Sequence, residues 1–170
     1  RSEKPWVMRK GFRTSFGQFD QAMLNEGYHI AVCNTAGLVG GPEAVRRWEE
    51  LYILGQKLGF HKKVVLEGLS RGGLLVYNYA HKNPQKVSGI YADNPVCDFR
   101  SWPFKSEKYK AQRGEVLRAY NILERKVAGY TAQANSIERL KPLAAAGIRL
   151  FHVQALNDTV VPAIENGDIL

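Results

Sequence analysis

The feature that most constrains the fold is a regular alternation of short apolar runs with longer segments of helical period. Five runs have the length and composition of buried strands, at 5–9, 28–34, 63–69, 87–92 and 149–156. Between them lie helical patterns at 19–25, 43–58, 72–82 and 105–141, the last broken near Gly114 and Gly129. Strands that alternate with helices build a parallel sheet through right-handed crossovers. We therefore predict an α/β fold, a mostly parallel sheet with helices on both faces.

Composition narrows the class of protein further. The 170 residues are 45% hydrophobic and 24% charged, which is typical of a globular chain and predicts a single domain over 1–170. No apolar run approaches the roughly 20 residues that a membrane helix needs, so we expect no membrane segment. Two cysteines cannot form a disulfide framework or a cysteine zinc site. No dinucleotide fingerprint, phosphate loop or HExxH metal motif occurs, so no cofactor or metal is predicted.

One motif carries chemistry: Gly68-Leu-Ser-Arg-Gly-Gly73, between a predicted strand and a predicted helix. G-x-S-x-G in this context predicts a nucleophile elbow, a sharp turn that exposes the Oγ of Ser70 above the sheet. Gly68 and Gly72 are expected to be required because side chains there would collide across the turn. The amide of Arg71, at a helix N-terminus, is placed to stabilise an oxyanion. The arrangement suits acyl transfer. A glycine-rich turn that contains a serine without a catalytic role would show the same sequence pattern.

A serine of this kind needs an acid, which follows it in the chain. Asp158 lies in a loop after the strand at 149–156, and Asp98 lies after the strand at 87–92. We favour Asp158 and keep Asp98 as the alternative acid, because the second position is used less often. Asp158 is also a good turn former that accepts local amide hydrogen bonds, which is the simpler interpretation.

The general base is not evident among the four histidines. His61 precedes the strand of Ser70 by about 30 Å of extended chain, and His29 also opens a strand. His81 lies roughly 16 Å along the helix that starts at the elbow. His152 lies inside a strand, about 20 Å of chain before Asp158. We therefore expect the catalytic histidine beyond Leu170.

The positive charge is concentrated in one stretch. The chain has a formal net charge of +8, and residues 100–149 hold eleven Lys and Arg against four Asp and Glu. A solvated helical face is the simplest interpretation. Attraction of an acidic substrate is the next, and nucleic-acid binding is not predicted because no recognised motif accompanies the charge.

These residues resemble the α/β-hydrolase superfamily, nearest its dienelactone-hydrolase-like and prolyl-oligopeptidase-like branch. The likeness rests on KVVLEGLSRGG at 63–73, IYADNPVCDFRSWP at 90–103 and NDTVVP at 157–162. It implies a chain that starts at the third strand and ends before the last helix, the histidine loop and the final strand. It also implies a helical, lid-like insertion over 100–141. A second oxyanion amide would come from near Arg9 to Phe12, although no His-Gly-Gly-Gly is present there.

Two functions from different classes follow. The first is a serine hydrolase of carboxylic esters, with Ser70 as nucleophile and Asp158 orienting the histidine; the substrates would be carbohydrate-linked or acidic esters. The second is a catalytically silent hydrolase-fold module that binds a glycan or a partner. A peptidase or acyltransferase would use the same triad. The resemblance is compatible with secretion or a periplasmic location, and the sequence leaves the location and the oligomeric state open.

Overall fold

The computed structural model describes residues 4–11, 17–134 and 140–169. The strands are β1 Trp6–Lys10, β2 His29–Cys33, β3 Val64–Leu69, β4 Val87–Asp93 and β5 Arg149–Val153. The helices are α1 Gln18–Asn25, α2 Pro42–Lys57, α3 Gly72–Lys82, α4 Lys110–Tyr120, α5 Val127–Ala134 and α6 Leu140–Ala145. No helix in these described ranges is long and apolar enough to cross a bilayer.

The five strands form one parallel sheet in the order β2-β1-β3-β4-β5. The predicted fold class is confirmed, because every adjacent pair is parallel and each crossover contains a helix. In a parallel sheet all carboxyl ends meet at one edge. The strand ends Lys10, Leu69, Asp93 and Val153 therefore lie along the same edge.

Helices cover both faces of the sheet, but unequally. On one face, α2 and α3 bury Trp48 and Tyr79 against Met8 and Leu66, and these residues are almost completely inaccessible. Burying a side chain of this size contributes about 2 kcal/mol, so this face holds most of the core. The short helix α1 packs on the opposite face through residues such as Phe19, which stacks on Tyr91 of β4. Phe151 of β5, on that face, remains 62% exposed.

The helical stretch after β4 is broken where the sequence does not predict it. Helix α4 continues through Gly114 and α5 continues through Gly129, so both predicted breaks are wrong. The chain turns at Asn121 instead, whose φ of 52° and ψ of 47° end α4 in the left-handed region. A helical glycine costs only about 1 kcal/mol, which the burial of Val116 and Tyr120 on α4 outweighs. The segment 135–139 lies outside the described residues.

A second apolar cluster joins this stretch to the carboxyl edge of the sheet. Its buried members are Val39, Leu74, Val96, Phe99, Trp102, Val116, Tyr120 and Val161. Leu74 belongs to the first turn of α3, and Val161 follows the loop of Asp158. The cluster therefore holds α4 against the part of the sheet where the predicted site residues lie.

Candidate active site

Ser70 forms a strained turn between β3 and α3. Its φ of 52° places a residue with a side chain in the left-handed region, at a cost on the order of 1–3 kcal/mol. Three backbone hydrogen bonds hold it there: the Ser70 amide donates to the Asp93 carbonyl, and the amides of Gly73 and Val96 donate to the Ser70 carbonyl, each at 2.9 Å. These hydrogen bonds fix the turn to the end of β4 and to the loop after it. The strained backbone at Ser70 is the geometry that the sequence motif predicts.

The glycines around Ser70 have unequal roles. A Cβ on Gly68 would lie 2.9 Å from the carbonyl oxygen of Gly72 and 2.9 Å from Cγ1 of Val76, so the expectation for Gly68 holds. A Cβ on Gly72 would meet nothing within 4 Å, so the expected collision at Gly72 is wrong. The second essential glycine is Gly73, where a Cβ would lie 2.7 Å from Val96 O. Gly73, and not Gly72, faces the loop that follows β4.

The side chain of Arg71 connects the elbow to the helical stretch. Arg71 occupies the N-cap position of α3. Its Nη1 donates a hydrogen bond to Oε2 of Glu115 on α4 at 2.9 Å. Lys10, at the end of β1, is only 9% exposed. Burial, and then repulsion by Arg71, lower the pKa of Lys10 to about 8, whereas Glu115 acts in the opposite direction. The sequence analysis did not identify Lys10 or Glu115 as residues near the site. A lysine at the end of a buried strand is the signal that could have identified Lys10.

Asp158 lies in the loop after β5, at the same edge of the sheet as Ser70. Its Oδ1 accepts hydrogen bonds from the amides of Val160 and Val161 at 2.8 and 2.9 Å. Asn94, which follows β4, connects the two loops: its amide donates to Val153 O at 2.8 Å, and its Oδ1 accepts from the Ala155 amide at 2.7 Å. In the described part of the chain, no direct hydrogen bond joins Ser70 to Asp158.

The alternative acid, Asp98, is bound by its own neighbour. Asp98 is 4% exposed. Both of its carboxylate oxygens accept a hydrogen bond from the Nε of Arg100, at 3.0 and 2.8 Å. The Arg100 amide donates to Oδ1 at 2.7 Å as well. The spacing of two residues allows this fork, so Asp98 is occupied as a local ion pair.

Arg9 lies inside β1, paired with Val32 of β2 and Glu67 of β3. Its guanidinium binds Asp20 of α1, and its Nε lies 3.7 Å from Oε2 of Glu67. Burial and the neighbouring Asp20 raise the pKa of Glu67 to about 7, although Arg9 opposes this shift. Arg9 therefore cross-links β1, α1 and β3 through its side chain. Residues 12–16, where the resemblance implies the rest of the oxyanion loop, lie outside the described residues.

The four histidines make other contacts. His152 hydrogen-bonds through Nε2 to the Tyr77 hydroxyl, and burial lowers its pKa. The strand register places it level with Gly68 but two strands away, about 10 Å. His29 stacks on Phe60 and His61 contacts Lys63, both at the amino edge. His81 lines a cavity between α2, α3 and α4.

A cavity of about 510 Å³ opens at the carboxyl edge beside the elbow. Its wall contains Arg9, Lys10, Gly17, Gln18, Phe19, Glu67, Gly68, Leu69, Tyr91, Asp93 and Val153. In the described ranges, no group of three or more His, Cys, Asp and Glu side chains is arranged to hold a metal ion. The cavity is large enough for a small-molecule ligand.

No protein-family model matches the chain, and no curated protein matches it significantly. Solved structures do match it. A puromycin-hydrolyzing peptidase of Mycobacterium tuberculosis has a TM-score of 0.72 at 14% identity, over 99% of this chain and 28% of that one. MGS-MChE2, an α/β-hydrolase enzyme from a metagenome of Mar Chica lagoon sediments, has a TM-score of 0.59 at 15% identity, over 98% and 74%. A lipase/esterase from Lactobacillus plantarum has a TM-score of 0.63 at 17% identity, over 96% and 69%.

The chain has the α/β-hydrolase fold. The resemblance drawn from the sequence is confirmed at this level, since the similarity covers nearly all of the chain although identity is low. A fold of this kind hosts many chemistries, and activity has to be argued from the site. The chain spans little more than a quarter of the length of the mycobacterial peptidase.

Proposed function

We propose that this chain carries the nucleophile and the acid of a serine hydrolase that cleaves carboxylic esters through an acyl-enzyme. The observation that carries the proposal is the strained Ser70 turn. Three hydrogen bonds hold Ser70 at a φ of 52° at the carboxyl edge of the parallel sheet. This conformation costs free energy, and strained residues of this kind are concentrated at active sites. The adjoining helix N-terminus and the cavity beside it support the same function.

In the proposed reaction, Ser70 Oγ attacks the ester carbonyl and an imidazole takes its proton, which it then passes to the leaving alcohol. Water attacks the acyl-enzyme in a second round of the same chemistry. Asp158 orients the imidazole through Oδ2, because its Oδ1 already accepts two amides. The Arg71 amide stabilises the oxyanion, and loss of one such donor slows enzymes by about 10²–10³. The histidine is proposed to lie beyond Leu170, because His29, His61, His81 and His152 are engaged elsewhere.

We also propose that the stretch 100–141 acts as a lid over carbohydrate-linked or acidic esters. Its packing against Leu74 and Val161 and the ion pair between Arg71 and Glu115 support the lid position. The basic charge supports an acidic substrate less well. Several of its residues are already paired, as Arg100 is with Asp98, Lys105 with Glu165 and Arg113 with Glu107.

A peptide bond is the second candidate for the scissile group. The TM-score to the puromycin-hydrolyzing peptidase is 0.72, against 0.63 to the lipase/esterase. Matched ester and anilide substrates with the same acyl group separate the two. Hydrolysis of the ester with no detectable cleavage of the matched anilide supports the esterase, and clear cleavage of the anilide would favour the peptidase.

The test of the nucleophile is covalent labelling of the full-length protein with a fluorophosphonate, followed by mapping of the adduct. The adduct is expected on Ser70, and Ser70→Ala should abolish labelling and ester hydrolysis together. Ser88→Ala is the matched control, because Ser88 is the second residue of β4, near the amino edge of the sheet, and its replacement should leave labelling and hydrolysis unchanged. Labelling that survives in Ser70→Ala protein would refute the assignment.

A further inference from the structure

Exposed aliphatic side chains are grouped at the end of α2, at the amino edge of the sheet. Ile53 and Leu54 on α2 are 45% and 51% exposed, and Leu58, which follows its last residue, is 55% exposed. Leu54 and Leu58 are four residues apart, as are Ile53 and Lys57, so these side chains form adjoining rows on one side of the helix. Single apolar residues are normal on a surface, whereas a contiguous group of them marks an interaction site.

Three lysines lie next to these aliphatic side chains. Lys57 is the last residue of α2, and Lys4 precedes β1 and donates through Nζ to the Leu58 carbonyl at 3.4 Å. Lys62 lies in the turn before β3, and its carbonyl accepts from the Tyr52 hydroxyl at 2.7 Å, which ties this turn to α2. All three lysines are exposed, and in the part of the chain that the structure describes none of them forms an ion pair. We call this surface the amino-edge patch, and its members are Lys4, Ile53, Leu54, Lys57, Leu58 and Lys62.

The described acids of the neighbouring helices leave the patch positively charged. Glu49 and Glu50, which precede it on α2, are bound by Lys86 and Arg46. Glu26 follows α1, which packs on the opposite face of the sheet. The patch therefore combines three positive charges with three exposed aliphatic side chains. This combination differs from the basic stretch 100–149, where several cations are paired with acids.

We propose that the amino-edge patch binds the surface of a lipid bilayer that contains anionic lipids. Lysines are attracted to negatively charged headgroups, and aliphatic side chains enter the boundary between the headgroups and the acyl chains. A nucleic-acid backbone would satisfy the lysines but would offer no apolar contact to Ile53, Leu54 and Leu58. A bilayer surface is the partner that supplies both kinds of contact at once.

The patch lies at the opposite edge of the sheet from the elbow. Lys62 comes before β3 and Ser70 directly after it, so the six residues of this strand separate the two by roughly 20 Å. A protein bound through the patch therefore keeps the cavity beside Ser70 in water. The inference does not depend on the proposed function, since it concerns a surface that contains none of the proposed site residues.

Cosedimentation of the full-length protein with lipid vesicles tests the proposal. One set of vesicles contains phosphatidylcholine alone, and in the other about a third of the lipid is phosphatidylglycerol. Each lysine near an anionic surface strengthens binding by about five-fold, so the anionic vesicles should bind about a hundred-fold more tightly than the neutral ones. The difference should shrink as salt rises from about 0.05 M to about 0.5 M. Equal binding to the two sets of vesicles, or no binding to either, would refute the proposal.

Two triple variants with the same loss of charge show whether the patch is the binding surface. Affinity for the anionic vesicles should fall by about a hundred-fold in the variant that combines Lys4→Gln, Lys57→Gln and Lys62→Gln. It should fall by less than about three-fold in the control, which combines three exposed lysines of the basic stretch, Lys108→Gln, Lys110→Gln and Lys126→Gln. Equal losses in the two variants would show that the overall charge causes binding, and the patch would then be wrong.

A single substitution tests the aliphatic half of the patch. Leu58→Gln should weaken binding to the anionic vesicles by about five-fold, because a half-exposed leucine loses its contact with the bilayer. Leu123→Gln is the matched control, since Leu123 is also 55% exposed, and it should bind as the unaltered protein does. If the lysine variant weakens binding but Leu58→Gln does not, and heparin displaces the protein from the vesicles, the patch binds polyanions and the bilayer proposal is wrong. Ser70→Ala should bind vesicles unchanged, so these results stand whether or not Ser70 is the nucleophile.

Discussion

The elbow makes a sharp prediction, because the same substitution two residues before and two residues after Ser70 should have opposite effects. In Gly68→Ala, the new methyl would lie 2.9 Å from Gly72 O and from Val76 Cγ1. Carbon atoms normally approach to about 3.5–4.0 Å, so the contact with Val76 Cγ1 is roughly 0.6–1.1 Å too short. The contact with Gly72 O is also closer than the 3.0 Å below which Cβ contacts essentially never occur. Val76 is β-branched on a helix and has one strongly preferred rotamer, so it cannot turn away easily. The first turns of α3 must therefore move away from β3.

Overpacking of this kind costs about 1–3 kcal/mol, and we expect that loss in the free energy of unfolding of Gly68→Ala. For a chain of this length it corresponds to a fall in Tm of about 2–4 °C per kcal/mol. Gly72→Ala meets nothing within 4 Å and adds a better helix former to the first turn of α3. Its stability should be unchanged or higher by up to about 1 kcal/mol.

Urea denaturation followed by far-UV circular dichroism measures both variants under the same conditions. Unchanged m-values would show that the native and unfolded states are comparable, so that the midpoints report stability. If both variants lose the same stability, or Gly68→Ala loses less than about 0.5 kcal/mol, the steric account of the elbow is wrong. Gly73→Ala, with a contact of 2.7 Å to Val96 O, should behave as Gly68→Ala does.

Two further predictions concern buried polar groups. Asn166 is 1% exposed, and its Oδ1 accepts a hydrogen bond from the Cys97 amide at 2.9 Å. Asn166→Ala should therefore lower the free energy of unfolding by about 1–3 kcal/mol in the same urea assay. Asn25 is exposed, so the control Asn25→Ala should change it by less than about 0.5 kcal/mol. The pKa of Glu67 is raised to about 7, so the folded chain keeps a proton that the unfolded chain loses near pH 4.5. The free energy of unfolding should therefore fall as pH rises from about 4.5 to 7, by up to about 1.4 kcal/mol per pH unit. Glu67→Gln should flatten this slope, and an unaltered slope would show that another group causes it.

The sequence by itself determined the parallel sheet and the position of the elbow. Both depend on local patterns: apolar runs of strand length, helical periods between them, and glycines around Ser70. All five strands lie within the predicted runs to within a few residues. The ion pair of Asp98 with Arg100 is also local, since two residues separate the partners, but the sequence analysis treated Asp98 only as an alternative acid.

Only the tertiary structure decided which glycine is essential and which charges meet. The motif G-x-S-x-G contains Gly72 and not Gly73, yet the loop after β4, more than twenty residues away, leaves no room for a side chain at Gly73. Helix α4 ends at Asn121 and not at Gly114, and α5 continues through Gly129. Arg71 and Glu115 form an ion pair because α4 packs at the edge of the sheet where α3 begins. Such contacts depend on how elements pack, and a period read along the chain carries no information about distances across it.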